Sequence, residues 1–168
     1  MDPRLSRLEK EIASAIHGIT LDQLTLQKDG KWSVAEILEH LFMTYTGTSK
    51  GLERCLQAGR SLATRPSVYH HFATFALIGL GYFPSWRTAP KQATPKGMRP
   101  EKLVVEIGPQ ITAMDRLARE CEKKFGRRMR ILDHPILGPL NIEQWRKFHA
   151  MHGHHHCRQI VERRRSMQ

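Results

Sequence analysis

No stretch of this chain approaches the ~20 consecutive apolar residues that a membrane-spanning helix needs. Its opening residues, MDPRLSRLEKE, are charged and contain no apolar signal core. The expectation is a cytoplasmic protein without a membrane partner. Cysteine is scarce: Cys55, Cys121 and Cys157 are an odd number with no CxxC spacing, which argues against a disulfide scaffold and fits a reducing compartment. Acid is in short supply as well. Against 27 Lys+Arg stand 16 Asp+Glu, for a formal net charge of +11. Such a balance attracts nucleic acid, acidic lipid or an anionic small molecule, although a solvated basic surface is the plainer account. Strand-like alternation, internal repeats and low-complexity tracts are all missing, and 168 residues amount to about one domain, 1–168.

The chain does have helical periodicity. Leu5, Leu8, Ile12, Ala15 and Ile16 form one stripe of a first helix from about Pro3 to His17. The polar stretch ITLDQLTLQKDGKW then reads as a connection, with a turn at Asp29-Gly30. Ser33-Val34-Ala35-Glu36 reads as a capping box that opens a second helix. Val34, Ile37, Leu38, Leu41, Tyr45, Leu52 and Leu56 carry that helix to about Gly59. Residues 66–83 predict a short helix ending near Gly79–Gly81, followed by a Pro- and Lys-rich loop over 84–100. A third long helix covers roughly Glu101 to Phe125, its inner face marked by Leu103, Ile107, Ile111, Met114, Ala118, Cys121 and Phe125. It is either kinked at Gly108-Pro109 or begins afresh there. GRRMRILDHPILGPL reads as a connection, and a second capping box, Asn141 to Gln144, opens a last helix running to about Arg165. The expected fold is all-α: a four-helix bundle with a short extra helix and a long loop between the second and third long helices.

Ten histidines are many for this length, and four fall within 152–156. At 100° per residue, Trp145, Phe148, His149, His152, His155, His156, Gln159 and Ile160 share one side of the last helix. His152 and His156 lie at i and i+4 in the middle of that arc, with Cβ atoms ~6 Å apart, so both imidazoles can reach one ion. The spacing alone means little, since roughly 0.6 HxxxH pairs arise by chance in such a composition. The placement means more: these rings stand where a core-facing helix usually puts Leu or Ile, and a buried imidazole needs hydrogen-bond partners or a metal. A hydrogen-bonded cluster of core histidines is the alternative. A third ligand is needed for a metal, and His40 is the candidate. It lies about 110° from the centre of its helix's stripe, and taken alone it reads as a boundary histidine. Thr44, Gly47 and Gly51 share its flank and would leave open space beside it.

The segment Trp32-Ser33-Val34-Ala35-Glu36-Ile37-Leu38-Glu39-His40-Leu41 resembles the W(S/T)xxExLxHL opening of the DinB/YfiT-like metalloprotein superfamily. HPILGPLNIEQWRKFHAMHGHHHCRQI resembles the HPxxGxLxxxxW…HxxHHxRQ pattern of an uncharacterised branch of it, at His134, Pro135, Gly138, Leu140, Trp145, His152, His155, His156, Arg158 and Gln159. The resemblance implies a four-helix bundle with a divalent metal on three histidines, carried over here as His40, His152 and His156. Ile160-Val161 and the basic tail VERRRSMQ depart from the branch's pattern.

Three protein nitrogens leave at least one position open on a divalent ion, the layout of a catalytic site. That position suits an acidified water or a substrate held as thiolate, and zinc, nickel and ferrous iron suit three imidazoles about equally. Relatives in the superfamily include transferases and isomerases using low-molecular-weight thiols. The resemblance therefore puts thiol-dependent transfer first, with metal-assisted hydrolysis beside it and a small molecule, such as a thiol, as the partner. His149, His155 and Gln159 are candidates for proton transfer or for hydrogen bonds to a ligand, and Thr44, Gly47, His134 and Trp145 for the pocket. His149 sits two turns from His156, which argues against direct ligation. A homodimer is open. The rival reading is a basic helical module binding nucleic acid or another anion through GRSLATR, FGRRMR and ERRRS. These patches are scattered, and no helix-turn-helix or zinc-finger spacing accompanies them.

Overall fold

Side-chain caps hold free N–H groups at the starts of four helices. In the computed structural model, which describes residues 1–79 and 93–167, Asp2 caps α1 (Pro3–Ile16) and Thr20 caps α2 (Leu21–Thr25). Ser33 caps α3 (Val34–Ala58) with the expected reciprocal bonds: Ser33 Oγ accepts from Glu36 N at 3.2 Å, and the Glu36 carboxylate accepts from Ser33 N at 2.7 Å. α4 (Val68–Thr74) leads into a π-helical turn, Phe75–Gly79. α5 (Pro100–Phe125) runs on through Pro109 rather than starting afresh there. Asn141 caps α6 (Ile142–Arg165) with Gln144. The stretch expected to be a plain connection holds α2, and its signal was Thr20 followed by Gln23, a capping box in its own right. At the predicted turn, Asp29 (φ 55°) and Gly30 (φ 64°) both adopt positive φ, bridging Lys28 to Lys31. Most of the expected loop over 84–100, residues 84–92, lies outside the described residues, as does the end of the expected short helix.

The stripes become the core. Leu5, Leu8 and Ile12 of α1, Ile37, Leu38, Leu41 and Tyr45 of α3, and Leu103, Ile111 and Met114 of α5 are all at most 2 % exposed. Burying each such side chain stabilises by about 1.5–3 kcal/mol. α3 lies along α5, α1 lies along α6, and α3 also meets α6. Gly153 lets α1 come close to α6: a Cβ there would collide with the Leu8 side chain. A buried ion pair ties α5 to α6, with Arg146 Nε 3.0 Å from Asp115 and Nη1 2.7 Å from Glu122.

The all-helical expectation needs one correction. Residues read as a connection form an antiparallel hairpin, β1 (Arg130–His134) and β2 (Gly138–Asn141), closed by three residues. Pro135 and Pro139 masked it, since proline within a short run argues against a strand. A two-stranded hairpin is marginal alone. This one is held because Ile131 and Leu140 are fully buried and Leu132 seats against Gly51 of α3. The molecule is mostly helical with this small sheet.

Candidate metal centre

α6 presents His152 and His156 on consecutive turns, and α3 presents His40 opposite them. The three rings converge in the interior, 4 %, 6 % and 7 % exposed for His40, His152 and His156. His152 Nε2 lies 3.1 Å from His40 Nε2 and 3.1 Å from His156 Nε2. One ligand atom from each ring falls within 4.8 Å of the others, so together they can hold a metal ion. Two imidazole nitrogens at ~2.1 Å from one ion stand about 3.0–3.4 Å apart for right-angle to tetrahedral geometry, which is the separation His152 keeps from each partner. The flank position of His40 led the sequence to read it, taken alone, as a boundary residue. It is buried instead, because the half-buried Trp32 ring leans on it at 5.2 Å and the backbone at Ala93 closes over it.

Hydrogen bonds fix which nitrogens face inward. His40 Nδ1 lies 2.7 Å from the Ala93 carbonyl, which can only accept, so Nδ1 carries the proton and Nε2 offers a lone pair. The Gln159 amide donates through Nε2 to His155 Nε2 at 3.2 Å, which leaves Gln159 Oε1 to accept from His156 Nδ1 at 2.8 Å. His156 Nε2 therefore also turns a lone pair inward. His152 has one proton to give at most, so only one of its two 3.1 Å contacts can be a hydrogen bond while all three rings are neutral. Burial keeps them neutral. It pushes His156 down to about 3, helped by the neighbouring His40, and it lowers His40 and, well below its ordinary value, His152.

The other expected site residues divide. Gln159 orients His156 as just described, and the half-buried His155 joins the same chain of contacts. His149 is 1 % exposed and bonds Thr48 Oγ1 at 3.0 Å, with its Nδ1 lacking a partner among the described residues; burial pushes it down to about 3. Trp145 stacks on His149 and donates Nε1–H to the Leu132 carbonyl at 3.3 Å, so it anchors the hairpin. His134 accepts from Ile136 N and Leu137 N, both at 3.1 Å, and so holds the hairpin turn; its ring lies 4.4 Å from that of Phe148. Thr44 gives its hydroxyl to Leu41 O, and Gly47 faces outward with open space. A cavity of about 290 Å³ lies between α4 and the hairpin, with His70, Phe75, Ile78, Arg130 and Lys147 among its walls, and none of the three histidines lines it.

Sequence reasoning passed over Glu39. It is 2 % exposed and its carboxylate accepts three backbone N–H groups, from Lys96 at 2.7 Å and from Gly97 and Met98 at 3.0 Å each. Those partners stand 57 to 59 residues away, so no local pattern announces them.

Over residues 6–163 the chain matches the family described as protein of unknown function (DUF1569), and it belongs to that family. No curated protein and no solved structure matches it.

Proposed function

We propose that this member of the DUF1569 family is a metal-dependent enzyme. In this reading the four long helices form a DinB/YfiT-like bundle, and His40, His152 and His156 hold one divalent transition metal, zinc, nickel or ferrous iron. The observation that supports it most is the convergence of three buried Nε2 atoms with two outer tautomers fixed so that lone pairs face each other. A neutral, metal-free trio leaves at least one such contact without a proton, which costs free energy in a buried site. A divalent cation satisfies all three.

The chain's own groups divide the remaining tasks. The Ala93 carbonyl and Gln159 orient His40 and His156, while Phe148, stacked on His152 at 5.3 Å, and Trp32, against His40, keep water from those sides. His155 is joined to His156 through Gln159, whose amide N–H it accepts at Nε2. A bound divalent ion supplies Lewis acidity at its open position, acidifying a water or a thiol there. Thiol-dependent transfer or isomerisation is the first reaction class, on the strength of the resemblance, and metal-assisted hydrolysis the second.

Zinc titration of metal-free protein, followed calorimetrically, tests the ligand set. The wild type takes up one equivalent, His152→Ala and His156→Ala take up none stoichiometrically, and His40→Ala binds at least ~10-fold more weakly. Wild-type binding in all three variants would refute the assignment.

A further inference from the structure

We propose that Glu39 is a positioning residue for His40, acting through the backbone of residues 93–98. The proposal rests on reading His40 as a ligand only where it concerns metal affinity; the tautomer it predicts does not depend on a metal.

Four observations carry it. First, Glu39 is a buried carboxylate, and a buried charge persists only with strong partners; its partners are three successive backbone N–H groups at 2.7–3.0 Å. Second, such convergence needs an unusual backbone. Gly97 supplies it at φ 87°, a left-handed conformation that side chains rarely adopt, and the successive N–H groups make a concave anion cradle. Third, three residues upstream of Lys96 the same strand of backbone presents the Ala93 carbonyl to His40 Nδ1 at 2.7 Å. Fourth, Glu39 and His40 are neighbours on α3, so one rigid helix supplies both the anchor of the loop and the ring that the loop orients. Pinning 96–98 thus sets where the Ala93 carbonyl lies, which sets the proton on Nδ1 and leaves Nε2 free.

The test uses the full-length, metal-free protein labelled with 15N in its histidines. In the wild type, long-range 15N–1H spectra show His40 as the Nδ1–H tautomer. In Glu39→Ala and in Gly97→Ala the His40 signals move toward a mixture containing the Nε2–H form, while His134, whose Nδ1 accepts two backbone bonds, keeps its own pattern. Gly97 is exposed, so its variant disturbs the cradle without opening the core. With cobalt(II) as probe, both variants bind about 10–100-fold more weakly, and Glu39→Ala adds no further loss in a His40→Ala background. A wild-type His40 in the Nε2–H form, or an unchanged His40 signal in both variants, would overturn the proposal. Additive losses in the double variant would likewise overturn it, since they indicate a general loss of structure. Cobalt affinity unaffected by His40→Ala would instead strike the metal reading and leave the tautomer result to decide the role of Glu39.

Discussion

Buried neutral imidazoles tie the stability of the metal-free fold to pH. Free histidine titrates near 6.5, whereas burial pushes His134 down to about 4 and His149 and His156 to about 3, and lowers His152 further than its ordinary range. Below pH ~6.5 the unfolded chain binds protons that the folded chain refuses, so folding free energy declines as pH drops toward 4. Each such group contributes at most ~1.4 kcal/mol per pH unit in that window. Urea unfolding in chelator at pH 7 and pH 5 is expected to show a loss of at least ~2 kcal/mol at the lower pH. Equal stability at both would mean that these rings are solvated or already paired as cations. At this scale the sequence was partly legible. The i, i+4 pair of His152 and His156 was visible in the spacing, because both ligands sit on one helix. His40 was not, on angle alone, because Trp32 and the Ala93 backbone bury it, and both are contacts that helical periodicity does not encode. Glu39 was invisible for the same reason.

Among the elements, α1 approaches α6 closely at Gly153. Alanine is the better helix former by about 1 kcal/mol, so an exposed glycine at that position would gain from substitution. Here the added Cβ would collide with Leu8, itself 2 % exposed in the core. Gly153→Ala is therefore expected to destabilise by about 1–3 kcal/mol, measured by urea unfolding. A more stable variant would show that α1 can move away from α6 at no cost. The long helices were readable because caps and stripes are local: Ser33 with Glu36 and Asn141 with Gln144 mark two starts, and buried Leu and Ile mark the inner faces. The hairpin was not, since its two strands of five and four residues depend on seating against α3 and α6. The proline-punctuated sequence looked like a connection because its stabilising contacts lie in distant elements.

For the whole molecule, the +11 charge is the feature that a metal-dependent enzyme does not require. Several of the described cations are engaged within the fold. Arg146 is buried on Asp115 and Glu122, Arg4 bonds Glu143, Arg163 donates to the Trp32 carbonyl, and Arg130 and Lys147 line the cavity by α4. Cations engaged in this way predict no gel shift of duplex DNA at low micromolar protein and low salt. A shift that weakens steeply with added salt would favour the nucleic-acid module instead. No described helix is long and apolar enough to cross a membrane.

The proposed centre is one ion held by His40 of α3 and by His152 and His156 of α6. Elemental analysis of the purified, untagged protein, with metal quantified per chain, tests it most directly. About one equivalent of zinc, nickel or iron is expected. Less than about a tenth of an equivalent, with no uptake when these ions are added, would contradict it and leave His40, His152 and His156 as a hydrogen-bonded cluster in the core.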